Sequence, residues 1–188
     1  RIETATFLCA AAGCGGEALL RRTDARMLQS VTALLRQTGC ELLEEQDAVL
    51  VRKTGKTGII SDVKTAAYPG FPTDCQAILT AALLRAEGES RIEETVFEDR
   101  FHHVPELQKL GAKLEIHHNT VHISGVRTLS GAKLTARDLR GGAALVLAAM
   151  QAEGECRVEG LTHIDRGYER FAEKLRALGA NIERCFDA

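Results

Sequence analysis

Leu107-Gln108-Lys109-Leu110-Gly111-Ala112-Lys113-Leu114-Glu115 is the stretch on which the fold turns, because the chain carries a version of it three times. Its counterparts are Leu34-Leu35-Arg36-Gln37-Thr38-Gly39-Cys40-Glu41-Leu42 and Leu175-Arg176-Ala177-Leu178-Gly179-Ala180-Asn181-Ile182-Glu183. Each reads as the end of an amphipathic helix, a glycine at the left-handed C-cap, and the start of a strand. Gly39, Gly111 and Gly179 are 72 and 68 residues apart. That period is too long for a solenoid and suits an α/β unit of about six elements. It predicts repeats at about 1–60, 61–129 and 130–188.

Working outward, each unit holds a second kind of helix. Residues 5–12, 77–84 and 143–150 are apolar nearly all round and rich in alanine. A helix without a polar face is buried on every side, and alanine lets helices approach closely. The amphipathic helices differ: Phe171, Leu175 and Leu178 recur at i, i+4 and i+7, with Glu173, Lys174 and Arg176 turned to solvent. Short strands are expected over 91–96 and 156–160, each after an Ala-Glu-Gly-Glu turn. A hairpin is expected over 114–123 around His118-Asn119. The unit therefore reads strand, buried helix, strand, amphipathic helix, hairpin. Three such units predict an α/β, inside-out, barrel-like domain with the buried helices at its centre. The first copy lacks an opening strand and the third a closing one, so the chain reads as part of a larger protein with an unpaired sheet edge.

The bulk numbers narrow the class. Of 188 residues, 45% are hydrophobic and 27% charged, ordinary for a globular core. A net charge of −2 offers no basic field for nucleic acid, and 4% aromatics without tryptophan leave few stacking platforms. The longest apolar run, 141–150, is about half of a membrane span, and no secretory signal opens the chain. Cys9, Cys14, Cys40, Cys75, Cys156 and Cys185 show no CxxC spacing and sit in or beside apolar runs, as reduced thiols of a cytoplasmic protein do. The six histidines form no metal pattern; His102 and His103 open a helix as solvent-facing or capping residues. Neither a metal nor a cofactor is expected. Lys53-Thr54-Gly55-Lys56-Thr57-Gly58 lacks Walker spacing and reads as a surface loop between repeats.

Four segments carry candidate chemistry. In Tyr68-Pro69-Gly70-Phe71-Pro72-Thr73-Asp74, prolines and glycine fix a turn ahead of a buried helix. Asp74 is there either a helix cap or a general base at the edge of an apolar layer. The others are Val96-Phe97-Glu98-Asp99-Arg100-Phe101-His102-His103, Asp138-Leu139-Arg140-Gly141-Gly142 and His163-Ile164-Asp165-Arg166-Gly167-Tyr168. Each places an arginine near a predicted helix N-terminus, where the dipole disfavours a cation. An anion held between guanidinium and backbone N–H groups accounts for this. Pairing of those arginines with Asp99, Asp138 and Asp165 is the structural alternative.

Three stretches, 68–76, 94–107 and 163–170, closely resemble the UDP-N-acetylglucosamine enolpyruvyl transferases of the EPSP synthase-like family, and the likeness runs over essentially the whole chain. The resemblance implies a C-terminal domain of a two-domain enzyme, with 1–188 as that single domain. It implies transfer of enolpyruvyl from phosphoenolpyruvate to the sugar 3′-hydroxyl, through a tetrahedral intermediate that loses phosphate, as the first committed step of bacterial peptidoglycan synthesis. On this resemblance Asp74 handles the hydroxyl proton. Arg100, Arg140 and Arg166 surround phosphoenolpyruvate, and Val96 lines the nucleotide sugar. The family's reactive cysteine lies on a loop of the other domain, and none of the six cysteines here matches it. The isolated chain is therefore expected to be inactive, with the missing N-terminal domain as its partner and no nucleic acid or membrane involved. An enolpyruvyl-shikimate-phosphate synthase relative and a non-catalytic anion-binding or interaction domain remain as alternatives.

Overall fold

The computed structural model describes residues 1–185. The first repeat holds α1 (Ile2–Cys14), β1 (Gly16–Arg21), α2 (Gln29–Gln37), β2 (Cys40–Glu44) and β3 (Ala48–Lys53). The second holds β4 (Val63–Lys64), α3 (Gln76–Ala82), β5 (Glu89–Glu93), α4 (Val104–Gln108), β6 (Lys113–His117) and β7 (Thr120–Ser124). The third holds β8 (Lys133–Thr135), α5 (Leu139–Ala149), β9 (Arg157–Glu159), α6 (Leu161–Asp165) and α7 (Phe171–Ala177). The described chain is a mixed α/β fold.

The apolar segments form α1, α3 and α5, and all three pairs of these helices touch. Every residue of α3 is buried, as are residues 5–12 of α1 and 141–148 of α5. Leu8, Leu79 and Leu147 are wholly enclosed, each such side chain contributing about 1.5–3 kcal/mol of transfer free energy. One polar tie crosses this centre: Gln151 Nε2 donates to the Ala81 carbonyl at 2.9 Å. It gives a shorter second bond to a carbonyl at the end of α3 whose backbone partner, Leu84 N, is 3.5 Å away.

The amphipathic helices lie outside. α2 packs on β2 and α4 on β6. α7 returns to α1, with Phe171 edge-on to Phe7 at 5.8 Å between ring centroids. Gly39, Gly111 and Gly179 all have positive φ, at 86°, 86° and 98°. A similar backbone bond occurs in two places: Glu87 N donates to Thr57 O and Glu153 N to Leu129 O, each at 2.8 Å.

The sheets make the repeat unequal. The second is complete, in the order β4-β5-β7-β6, with β4 parallel to β5 and the other pairs antiparallel. The first, β1-β3-β2, has no parallel strand beyond β1. Among the described residues the third is the parallel pair β8-β9 alone. The fold is barrel-like only in setting sheets around helices; the three sheets stay separate and no closed barrel forms among the described residues.

Several expectations are corrected. The strand expected over 91–96 is β5, which stops at Glu93, because the Glu94 carboxylate accepts the Val96 and Phe97 N–H groups and turns the chain. No strand follows Gly179 in the described residues. The stretches after Gly39 and Gly111 pair with β3 and β7, whereas this one has no described partner strand. It is held instead by Arg176 Nε on the Ile182 carbonyl and by the Arg184–Asp165 ion pair. The 53–58 segment stays a surface loop, with 54–56 exposed, but it folds around its own lysine. Lys53 is buried, and its Nζ donates to the carbonyls of Thr54, Gly55 and Lys56.

Candidate functional site

Asp74 lies in the 3-10 turn Thr73–Cys75 that leads into α3. Its side chain caps neither that turn nor the helix. It faces two guanidinium groups: Arg100 Nη2 is 2.6 Å from Oδ1 and Arg140 Nη2 is 3.6 Å from Oδ2. The helix-cap explanation of Asp74 is thereby replaced by an ion-paired carboxylate shared between two repeats.

Arg100 follows Asp99, which holds a left-handed φ of 50°. That conformation costs an aspartate little and swings the next residue back toward α3. Nη1 of Arg100 donates to Thr73 Oγ1 at 2.6 Å, and the guanidinium lies 4.8 Å from the Phe97 ring centroid. Thr73 Oγ1 in turn donates to Glu94 Oε2 at 2.7 Å.

Arg140 is in the first turn of α5. Asp138 caps that helix, accepting Arg140 N at 2.9 Å and Gly141 N at 2.7 Å. Its carboxylate offsets the unpaired amides at this end, which eases a cation in the first turn. Nη1 of Arg140 donates to the Tyr168 hydroxyl at 3.1 Å, and its guanidinium lies 5.5 Å from that ring. Tyr168 is buried and also bonds Thr6 of α1 at 2.8 Å. Burial raises the Tyr168 phenol above its ordinary pKa, so it is a neutral hydroxyl at physiological pH.

Arg166 is at the C-cap of α6 and not at a helix N-terminus, because the short α6 intervenes after β9. A cation suits that end of a helix, so the helix-dipole argument for an anion does not apply to it. The side chain is exposed and makes no hydrogen bond or ion pair among the described residues. Its neighbourhood adjoins Arg140. A Cβ on Gly167 would stand 2.6 Å from Leu139 Cδ2, so this segment lies close to the start of α5.

The anticipated pairing within each segment is absent. Asp138 caps α5, Asp165 pairs with Arg184, and Asp99 stands 3.7 Å from His102 Nε2. Val96 is 45% exposed, on the turn next to Phe97 and Arg100.

Sequence reasoning missed the parts played by Glu94, Thr73 and Tyr168, and the burial of His103. Glu94 is 2% exposed and in phase with inward Ser90 and Ile92, so strand alternation marked it as an inward carboxylate. Tyr168 stood in a quoted segment with no signal of its partners. His102 is exposed, but His103 is 4% exposed, gives α4 no capping bond and leaves Nε2 without a partner. Burial, opposed by Asp138, lowers its pKa to about 4. Cys75 is enclosed next to Asp74; burial, and then Asp74, push its thiol up to about 12, so it is no nucleophile. Among the described residues no group of three His, Cys, Asp or Glu is placed to hold a metal. No helix of the described residues is long and apolar enough to cross a membrane.

The rim thus sets one carboxylate between two ring-backed arginines, beside three central helices. The chain matches the crystal structure of the enolpyruvyl transferase NikO from Streptomyces tendae with a TM-score of 0.85 and 28% identity, over 96% of this chain and 43% of that one. EPSP synthase from Acinetobacter baumannii shares the fold, with a TM-score of 0.77 at 17% identity over 98% of this chain and 46% of that one. Residues 1–175 match the family model EPSP synthase (3-phosphoshikimate 1-carboxyvinyltransferase), and the chain belongs to that family. It is 52% identical over 184 residues to the UDP-N-acetylglucosamine 1-carboxyvinyltransferases of Salmonella typhi and Salmonella typhimurium. That match covers 98% of this chain and 44% of the relatives' length, so the chain spans less than half of those proteins.

Proposed function

We propose that this chain is the C-terminal domain of an enzyme that transfers enolpyruvyl from phosphoenolpyruvate to the 3′-hydroxyl of UDP-N-acetylglucosamine. Asp74 takes the proton of the attacking hydroxyl while the sugar oxygen bonds to C2 of phosphoenolpyruvate and C3 takes a proton from a general acid of the complete protein. Loss of phosphate and of a C3 proton then restores the double bond on the sugar. Arg100, Arg140 and Arg166 bind the phosphate and carboxylate, and their charge favours the transition state because it is already in place. Val96 lines the nucleotide sugar. An N-terminal domain supplies the rest of the cleft, and the enzyme serves cytoplasmic peptidoglycan synthesis and so cell-wall growth and division.

The observation that carries this reading is Asp74 held by Arg100 and Arg140 at one rim, a base placed next to cations as acceptor activation beside an anion requires. The 52% identity to transferases of that name favours the nucleotide sugar over shikimate 3-phosphate as acceptor. The test is phosphate release by the complete protein from phosphoenolpyruvate with each acceptor. Release with UDP-N-acetylglucosamine alone is expected. Release with shikimate 3-phosphate alone would assign the synthase activity, and release with neither would leave an anion-binding or interaction domain. The 188-residue chain alone is expected to bind these ligands weakly and to release no phosphate.

A further inference from the structure

Glu94 touches no arginine, yet it is the point at which the two halves of the proposed site join. Its Oε1 accepts Thr65 Oγ1 at 2.9 Å, Val96 N at 2.8 Å and Phe97 N at 3.1 Å. Its Oε2 accepts Thr73 Oγ1 at 2.7 Å. Direction along this chain is fixed by chemistry. Arginine can only donate, so Thr73 Oγ1 must accept from Arg100 and give its one hydrogen to Glu94. Arg100 then donates its other arm to Asp74 at 2.6 Å. One enclosed carboxylate thus sets the turn that presents Val96 and orients the hydroxyl that holds Arg100.

We infer that Glu94 is a positioning residue, which couples the Val96 turn to the Arg100–Asp74 pair through Thr73. This rests on the functional reading above for what the two arms bind. Only a group with two acceptor oxygens fits the position. Glutamine must aim an NH2 either at the Val96 and Phe97 N–H groups, donor against donor, or at Thr73 Oγ1, which then loses the acceptor of its own hydrogen. The two arms can therefore be cut separately. Thr73→Val removes the link to Arg100 and leaves the Val96 turn, Thr73→Ser keeps the hydroxyl, and Glu94→Gln disturbs both.

The test pairs nuclear magnetic resonance of the 188-residue chain with kinetics of the complete protein. In the chain, Thr73→Val should collapse the resolved, slowly exchanging guanidinium protons of Arg100 while the Val96 and Phe97 amide shifts stay near wild type. Thr73→Ser should restore them, and Glu94→Gln should move both sets. In the complete protein, Thr73→Val should raise the KM for phosphoenolpyruvate roughly tenfold and that for UDP-N-acetylglucosamine less than about twofold, while Glu94→Gln raises both, as loss of a charge-assisted bond implies. A merely structural role would lower melting temperature and active fraction without this split. Unchanged Arg100 protons in Thr73→Val, or equal KM changes in both variants, would overturn the inference. A wild-type protein that uses neither substrate would overturn the functional reading alone, because the Arg100 signals of the chain do not depend on it.

Discussion

The Tyr168 hydroxyl stands 3.1 Å from Arg140 Nη1 and 2.8 Å from Thr6 Oγ1, so α1 of the first repeat helps to hold an arginine of the third. The ring of Tyr168 also backs that guanidinium at 5.5 Å. Arg100 is held in the same manner, by a hydroxyl at Thr73 and the Phe97 ring. Each arginine therefore has a fixed orientation before any ligand arrives, which lowers the entropy lost on binding.

Tyr168→Phe keeps the ring and removes the hydroxyl, leaving Arg140 one donor short of a partner and Thr6 Oγ1 with only its bond to the Ile2 carbonyl. In the complete protein it should raise the KM for phosphoenolpyruvate roughly three- to tenfold, less than the loss of a direct bond to a charged group, because the hydroxyl holds Arg140 and not the ligand. Tyr168→Leu, which also removes the cation–π contact, should raise it further. Steady-state kinetics with each substrate varied in turn checks the order of the two variants.

His103 gives the chain a stability term that depends on pH. Burial lowers its pKa from 6.5 to about 4. Between those values the unfolded chain takes up a proton that the folded chain refuses. The stability held by the neutral ring is whole above pH 6.5 and is lost as pH falls toward about 4. Urea unfolding of wild type across that window should show stability falling by up to about 1.4 kcal/mol per pH unit from this group. His103→Gln should be less stable at neutral pH but flatter with pH, and equal slopes for the two proteins would remove His103 as the cause.

Leu79, wholly enclosed in α3, tests the helical centre. Leu79→Ala should cost about 2–5 kcal/mol, the range for a large cavity among packed helices. Leu43→Ala on the exposed face of β2 should change stability by about 0.5 kcal/mol or less. Chemical denaturation of both variants would compare them directly, and similar costs would mean that the three helices are not the core.

The elements that were legible in the sequence are those whose burial is one-sided or complete. Residues 5–12, 77–84 and 143–150 had no polar face, and burial at the centre was the only stable place for them. The landmark glycines were legible because a left-handed φ selects their residue type. Partners were not legible. Nothing in Asp165 says that it will meet Arg184 and not Arg166, since a charge pair is fixed by tertiary approach. The missing strand after Gly179 followed the same rule: the local pattern matched β2 and β6, but a strand needs a neighbour to bond. In the site, Asp74 and the arginines were visible as charges in loops. The hydroxyls of Thr73 and Tyr168 that orient them were not, because threonine and tyrosine are common in turns and cores alike.

The central claim is that Asp74 acts on a proton and is more than the anchor of Arg100 and Arg140. Steady-state kinetics of Asp74→Ala in the complete protein test it most directly, together with UDP-N-acetylglucosamine binding measured by calorimetry. A kcat lowered by on the order of a hundredfold or more, with nucleotide-sugar affinity changed far less, is the expected result for a group acting on a proton in flight. A kcat near that of the wild type would contradict the claim and leave Asp74 as a structural ion pair.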